Sequence, residues 1–271
     1  MTLSPPSTIK EQVRERYAAI AVGGGCCSDA PASRSSCCSD APDAGMQFVD
    51  YTSLQADVVA ESDLGLGCGT PTQAAALQPG ERVLDLGSGA GIDVFLAARA
   101  VGPTGFVLGV DMTPEMLARA RANAAKVGFA NVEFRQGEIE NLPVAANSID
   151  VILSNCVINL APDKAPVFAE MYRVLKPGGR FAISDMVTFG EVPEMIRTDM
   201  ALWSGCIAGA LDREIYLDML AASGFRQIEV IKEQRYDASW LPKAHQQQDL
   251  ARLQVERGDF GMASVTVTGW K

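Results

Sequence analysis

A doubly wound α/β fold, with a mostly parallel seven-stranded sheet, is the class this sequence predicts. Three observations predict it. From residue 81 onward, short apolar runs alternate with helical segments, the pattern of parallel strands joined by crossover helices. The runs are apolar at consecutive positions, as expected of strands covered on both faces. One of them, at 83–86, leads straight into a glycine turn that opens a helix.

The elements follow in order. Residues 7–20 read as an amphipathic helix, with Ser7 or Thr8 as its cap and Glu11 near the first turn. Gly23-Gly24-Gly25 then opens a Gly/Ser/Ala/Pro-rich stretch to about Gly45, with little to bury and the composition of a flexible loop. It holds a duplication: Cys26-Cys27-Ser28-Asp29-Ala30-Pro31 recurs as Cys37-Cys38-Ser39-Asp40-Ala41-Pro42. Two copies are too few for a solenoid. Strands are expected at 83–86, 106–110, 132–135, 149–154 and 180–184, and helices at 92–101, 114–127 and 162–175. Pro114 suits a first helical position, with Thr113 as cap. Lys176-Pro177-Gly178-Gly179 stops the third helix and turns the chain. A helix at 212–223, closed by Gly224, precedes two further strands at 227–232 and 263–269. The expected organisation is an N-terminal helix and cysteine-rich arm (1–45), a ligand-binding domain (46–185), an insertion (186–225) and closing strands (226–271).

Composition narrows the function classes. The chain of 271 residues suits one large domain, or one with a small appendage. Its 23 basic and 33 acidic residues leave a net charge of −10, and no basic run interrupts it. Phosphate backbones are bound by neutralising them, so nucleic acid is excluded as an expected partner. Anionic membrane surfaces are excluded for the same reason. Residues 1–10 lack the apolar core of a signal peptide, and no apolar run is long enough to cross a bilayer. A cytoplasmic location is expected, where the seven cysteines stay thiols. An odd count with two vicinal pairs also suits a disulfide framework poorly.

Val83-Leu84-Asp85-Leu86-Gly87-Ser88-Gly89-Ala90-Gly91 places the glycines where a backbone must turn tightly and approach a ligand. The spacing is G-x-G-x-G, and Ile92 stands where a dinucleotide fingerprint wants its third glycine. Asp85 would sit badly against a pyrophosphate and well against an ammonium group. The second strand ends in Val110-Asp111, which offers a carboxylate to two ribose hydroxyls. Over roughly residues 82–184 this set resembles the class I, Rossmann-like S-adenosylmethionine-dependent methyltransferases. The resemblance implies that Asp85, Gly87, Ser88 and Gly89 hold the methionine part and Asp111 the ribose, with Met112 and Asn155 completing the set.

Ligands of open α/β sheets bind beyond the carboxyl ends of the strands, so the loop after the fourth strand should face the acceptor. That loop reads Ser154-Asn155-Cys156-Val157-Ile158-Asn159-Leu160. It lacks the Asn/Asp-Pro-Pro-aromatic run of enzymes that methylate nucleic-acid amino groups, and it carries a thiol. Cys206 lies in the insertion after the fifth strand, and Cys68, in Gly65-Leu66-Gly67-Cys68-Gly69, immediately precedes the first. Thiolates select soft centres. Three converging thiolates would suit trigonal As(III), leaving its lone pair as a nucleophile that needs no general base. Each cysteine taken singly also reads as a small buried hydrophobe. The single histidine, His245, lies in a polar stretch and reads as a surface residue.

The resemblance sharpens over residues 46–224. Residues 154–164, the segment Trp203-Ser204-Gly205-Cys206-Ile207-Ala208-Gly209-Ala210-Leu211, and Gly137-Glu138-Ile139-Glu140-Asn141-Leu142-Pro143 look like the arsenite methyltransferases. The likeness implies that Cys156 and Cys206 bind arsenic, that Cys68 belongs to the thiol set that binds or reduces it, and that Ile139 and Glu140 flank the adenine. A further family cysteine falls on Cys37 or Cys38. The vicinal pairs depart from the family pattern, and Cys26-Cys27 reads as an inert or metal-scavenging copy. A zinc site built from the pairs lacks C-x-x-C spacing. The implied substrate is As(III), as a glutathione adduct, with glutathione or thioredoxin restoring the thiols. A methyltransferase acting on carbon or oxygen of a small molecule, and a non-catalytic thiol protein that sequesters arsenic, are the alternative readings.

Overall fold

The computed structural model describes residues 6–23, 60–190, 208–236 and 261–271. Cys26, Cys27, Cys37, Cys38, Cys206 and His245 lie outside the described residues.

The strands are β1 (Arg82–Leu86), β2 (Phe106–Asp111), β3 (Val132–Gln136), β4 (Ile149–Asn155), β5 (Leu175–Phe189), β6 (Arg226–Tyr236) and β7 (Gly261–Trp270). They form one sheet in the order β3-β2-β1-β4-β5-β7-β6. The first five pair in parallel, and β7 runs antiparallel between β5 and β6. The expected seven-stranded, mostly parallel sheet is therefore present. Its helices are α1 (Pro6–Ala21), α2 (Pro71–Ala74), α3 (Ile92–Val101), α4 (Pro114–Val127), α5 (Ala165–Val174) and α6 (Arg213–Ala222). Among the described residues no helix is long and apolar enough to cross a membrane.

Alternate residues of each central strand face opposite layers. Leu84, Leu86, Leu108, Val110 and Ile152 join Val167, Phe168 and Met171 of α5 and Tyr216 and Leu220 of α6 in one core. Val83, Val107, Val151 and Leu153 join Val94, Phe95, Ala98 and Val101 of α3 and Leu117 and Ala120 of α4 in the other. Burying a Leu or Phe side chain contributes about 1.5–3 kcal/mol, so both layers are needed to offset the entropy of ordering the sheet. The Phe168 and Tyr216 rings meet edge to face at 5.4 Å, which joins α5 to α6.

Three boundaries depart from expectation for physical reasons. Helix α1 begins at Pro6, so Ser7 is a helical residue and not a cap. Helix α5 begins at Ala165 and not 162, because a 3-10 turn at Ile158–Leu160 occupies the preceding loop and the Asp163 carboxylate accepts from the Ala165 N–H at 3.0 Å. Strand β5 starts five residues earlier and ends five residues later than its apolar core alone suggests, spanning Leu175–Phe189. The 176–179 turn is absorbed as an irregularity between the Ile149–Leu175 and Val151–Arg180 pairs, and β7 supports the far end through Phe189.

Strand order reverses between β1 and β4, which have β2 and β5 on their outer sides. A crevice opens beyond the carboxyl ends of strands at such a point. Leu86 pairs there with both Val110 and Ser154. Helix α1 packs on α4 over the same end, where the Arg119 guanidinium donates to Ala21 O at 3.2 Å and Glu61 O at 3.0 Å.

Candidate active site

The glycine loop leaves β1 with Gly87 in the left-handed region at φ 64°. A Cβ there would overlap the Val157 side chain, so the residue must be glycine on two grounds. The Asp111 carboxylate at the end of β2 holds the loop. Its Oδ2 accepts from Gly89 N at 2.9 Å, and its Oδ1 accepts from Thr113 N at 2.8 Å. The Thr113 side chain also hydrogen-bonds the carboxylate, whose oxygens can accept more than one donor each. Burial pushes the Asp111 carboxyl above its ordinary range, against the pull of the Thr113 and Gly89 N–H groups.

One cavity collects Asp85, Gly87, Ser88, Gly89, Asp111, Met112, Ile139, Glu140, Asn155 and Cys156. Every residue expected at the cofactor is thus on its wall. Burial, followed by the charges of Asp93 and Asp111, pushes the Asp85 carboxyl well above the usual range. Asp63 and Asp93 line the cavity too, and Lys10 of α1 is the single basic side chain among the described residues on it. The Lys10 ammonium is already bridged to Glu138 at 2.7 Å and Glu140 at 3.0 Å. The interior therefore attracts a cation, while the glycine-loop N–H groups can meet a carboxylate or hydroxyl.

Cys156 lines this cavity, and Cys68 comes together with it behind the wall. Cys156 takes φ 60° at the end of β4, strained for a residue with a Cβ. Its N–H donates to Ser184 O at 2.8 Å. The Cys68 thiol is directed at the same carbonyl, at 3.4 Å, and its N–H donates to Asn155 Oδ1 at 3.0 Å. Both cysteines are buried. Cys68 does not enter β1 directly as expected, since helix α2 intervenes. The approach is close: a Cβ on Gly69 would overlap the Ser184 side chain.

A third group completes the cluster. The two Sγ atoms and a carboxylate oxygen of Asp185 lie within 4.8 Å of one another. Asp185 is 0% exposed. Burial raises its carboxyl to about 7, against the opposing pull of Lys164, the Met186 N–H and the Tyr216 hydroxyl. The Tyr216 hydroxyl donates to Asp185 Oδ2 at 3.2 Å, and burial followed by the Asp185 charge pushes that phenol well above 10.

Sequence reasoning found Asp85, the loop, Asp111, Cys68 and Cys156, and the fold brings these to one crevice. It missed Asp93, Asp185, Tyr216 and Lys164. Asp93 in the first turn of α3 looks like an ordinary helix-dipole residue. Asp185 carried a usable signal, a carboxylate inside the apolar run Phe181-Ala182-Ile183-Ser184-Asp185-Met186-Val187.

Comparison with known proteins agrees with this geometry. The methyltransferase domain family matches residues 77–235. An arsenite methyltransferase of Halobacterium salinarum is 52% identical over 231 residues, which cover 83% of this chain and 59% of that protein. The human arsenite methyltransferase is 46% identical over 138 residues, 48% of this chain and 37% of its own length. The chain thus spans little more than half, or less, of the curated relatives it matches. A crystal structure of an arsenic(III) S-adenosylmethionine methyltransferase from Chlamydomonas reinhardtii superposes with a TM-score of 0.67 at 36% identity, covering 80% of this chain and 71% of that one. A methyltransferase fold, with buried thiols beside the cavity and this likeness over most of its length, places the chain in the arsenite S-adenosylmethionine-dependent methyltransferase family.

Proposed function

We propose that the chain transfers methyl groups from S-adenosylmethionine to trivalent arsenic, arsenite and methylarsenite, bound by cysteine thiolates, and so detoxifies arsenic. One observation carries this reading: the thiols of two buried cysteines, Cys68 and Cys156, lie within 4.8 Å of one another, and Cys156 also lines the cavity shared by Asp85, the glycine loop and Asp111.

The residues fit the methyl donor. Asp85 suits its ammonium, since a cation relieves the cost of burying that carboxylate. Gly87, Ser88 and Gly89 suit the methionine carboxylate through their backbone, Asp111 the ribose, and Ile139 and Glu140 the adenine, with Met112 and Asn155 completing the wall. When bound, S-adenosylmethionine supplies a sulfonium methyl that a lone pair can take, with a neutral thioether as leaving group.

Cys68, Cys156 and Cys206 hold As(III) on this reading. Thiol exchange with a glutathione adduct forms each As–S bond as one glutathione leaves with the thiol's proton. Three As–S bonds leave the arsenic lone pair outward, and no base is needed to expose it. The chain's contribution is positioning and exclusion of water. Methylation uses that pair and leaves arsenic pentavalent. Two thiols, Cys68 with Cys37, Cys38 or Cys156, then form a disulfide and return two electrons to arsenic. Glutathione or thioredoxin restores the pair by exchange. A reducing cytoplasm suits a chain with seven cysteines.

Incubation with arsenite, S-adenosylmethionine and thiol, followed by arsenic speciation, tests the reading. Methylated arsenicals are expected, and their absence from an enzyme that binds the donor would overturn it.

A further inference from the structure

Asp93 and Asn155 make contacts with each other and with the Cys68 loop that holding the donor does not by itself require. Asp93 is 3% exposed, lines the cavity together with Asp85, and its Oδ2 accepts from Asn155 Nδ2 at 3.0 Å. Asn155 spends the rest of its amide on the Cys68 loop. Its Oδ1 accepts from Cys68 N at 3.0 Å and from Gly69 N at 3.3 Å, and its Nδ2 donates to Gly69 O at 2.9 Å. One side chain therefore touches a cavity carboxylate on one edge and fixes the backbone that carries a thiol on the other. The loop has no slack to take up a shift, because Gly69 is packed against Ser184 without room for a Cβ.

We propose that Asp93 and Asn155 link the donor cavity to the Cys68 loop, so that donor and trivalent arsenic bind cooperatively. The inference rests on the donor and acceptor assigned above. The physical basis is charge. Asp85 and Asp93 repel one another across the cavity. An ammonium set between them removes that repulsion and fixes the Asp93 carboxylate. A fixed carboxylate orients the Asn155 amide, and the amide sets the Cys68 N–H and thiol. By linkage the effect runs equally in the other direction: arsenic bound at Cys68 holds the loop, the amide and Asp93 in the arrangement that receives the ammonium. Asn155 is a positioning residue in this scheme, since it acts through Cys68.

The test is calorimetry on the reduced full chain, with S-adenosylhomocysteine as a ligand that keeps the ammonium and cannot turn over. Its dissociation constant is measured with and without saturating arsenite, and that of arsenite with and without S-adenosylhomocysteine. Each should tighten the other by the same factor, between about 5- and 150-fold. Asp93→Ala should weaken S-adenosylhomocysteine and bring the factor to one. Asp93→Asn should also bring the factor close to one while leaving the Cys68 loop held, because its oxygen still accepts from Asn155 but carries no charge for the ammonium to fix. Asn155→Asp should lose the factor, since it faces Asp93 with an oxygen while still accepting from Cys68 N. A wild-type factor of one, or an undiminished factor in Asp93→Ala, overturns the link and leaves the proposed function standing. Failure of the wild type to bind either ligand overturns the proposed function, and the link with it.

Discussion

Cys68 and Cys156 are held to one carbonyl, Ser184 O, the first through its thiol at 3.4 Å and the second through its N–H at 2.8 Å. The carbonyl belongs to β5, so two residues from distant parts of the chain are aligned by a strand that carries neither. Their side chains gain a fixed separation before any ligand arrives. That preorganisation suits a soft centre that needs several thiolates at once.

Cys156→Ser should abolish methylation of both arsenite and methylarsenite, because a hydroxyl is a poor ligand for arsenic and its oxygen sits short of the sulfur position. Cys206→Ser should do the same. In Cys156→Ser, S-adenosylhomocysteine affinity should change by less than about threefold, as the substitution removes no charged group from the cavity. Arsenic speciation and calorimetry read the two effects separately. Turnover retained in either variant would sink the thiolate site.

Gly87→Ala should lose donor binding and activity together. The left-handed φ of 64° costs a residue with a Cβ about 1–2 kcal/mol. Overlap with Val157 adds about 1–3 kcal/mol of overpacking, and Val157 is the neighbour of Cys156. Shortening the obstacle in a Gly87→Ala, Val157→Ala double variant should recover the packing part and not the backbone part. A double-mutant cycle on thermal stability measures the coupling. Strict additivity would show that the contact has no energetic consequence.

Asp185 should make stability fall as pH rises from about 4 to about 7. Its carboxyl is raised to about 7 in the folded protein, chiefly by burial, and returns to 3.8 when the chain unfolds. Between those values the native state binds the extra proton, so raising the pH favours the unfolded state. Above 7 both states are ionised and the effect is constant. Asp185→Asn keeps the shape of the neutral acid and removes the titration. Urea unfolding of both proteins from pH 4 to pH 8 should give a difference that grows against the wild type and then levels. A flat difference refutes the shifted carboxyl.

How far the sequence exposed all this follows from burial. Strands β1 to β4 and helices α3 and α4 could be read within a residue or so, because strands covered on both faces are continuous apolar runs and the helices are punctuated by Pro114, Gly102 and Gly128. The extent of β5 could not, since Lys176-Pro177-Gly178-Gly179 has turn chemistry and Asp185 interrupts the apolar run, while the antiparallel partner β7 is a tertiary fact. The site divides in the same way. Asp85, Asp111 and Cys156 stand at strand ends, where chemistry is expected. Asp93 owes its importance to Asn155, far along the chain, and no local pattern announces it; Asp185 is announced only by its place inside an apolar run, and its partner Tyr216 is a tertiary fact.

Asp111→Asn should separate binding from folding. In the free protein the carboxylate accepts one N–H on each oxygen, from Gly89 and Thr113. The amide can satisfy one and presents an NH2 group to the other, and an unsatisfied buried donor costs about 1–3 kcal/mol. Burial of a charge is relieved at the same time, because Asp111 carries a desolvation cost that a neutral amide does not. The two terms oppose in the unliganded protein, so the midpoint of thermal unfolding should drop by only a few degrees, on the order of 1 kcal/mol. With donor bound they no longer cancel. The glycine loop has lost its tether, and a ribose hydroxyl has lost an ionised acceptor, so S-adenosylhomocysteine should bind about 10- to 100-fold more weakly. Calorimetry beside thermal unfolding distinguishes this from general loosening, which would lower both in proportion. An unchanged dissociation constant would remove Asp111 from the donor site.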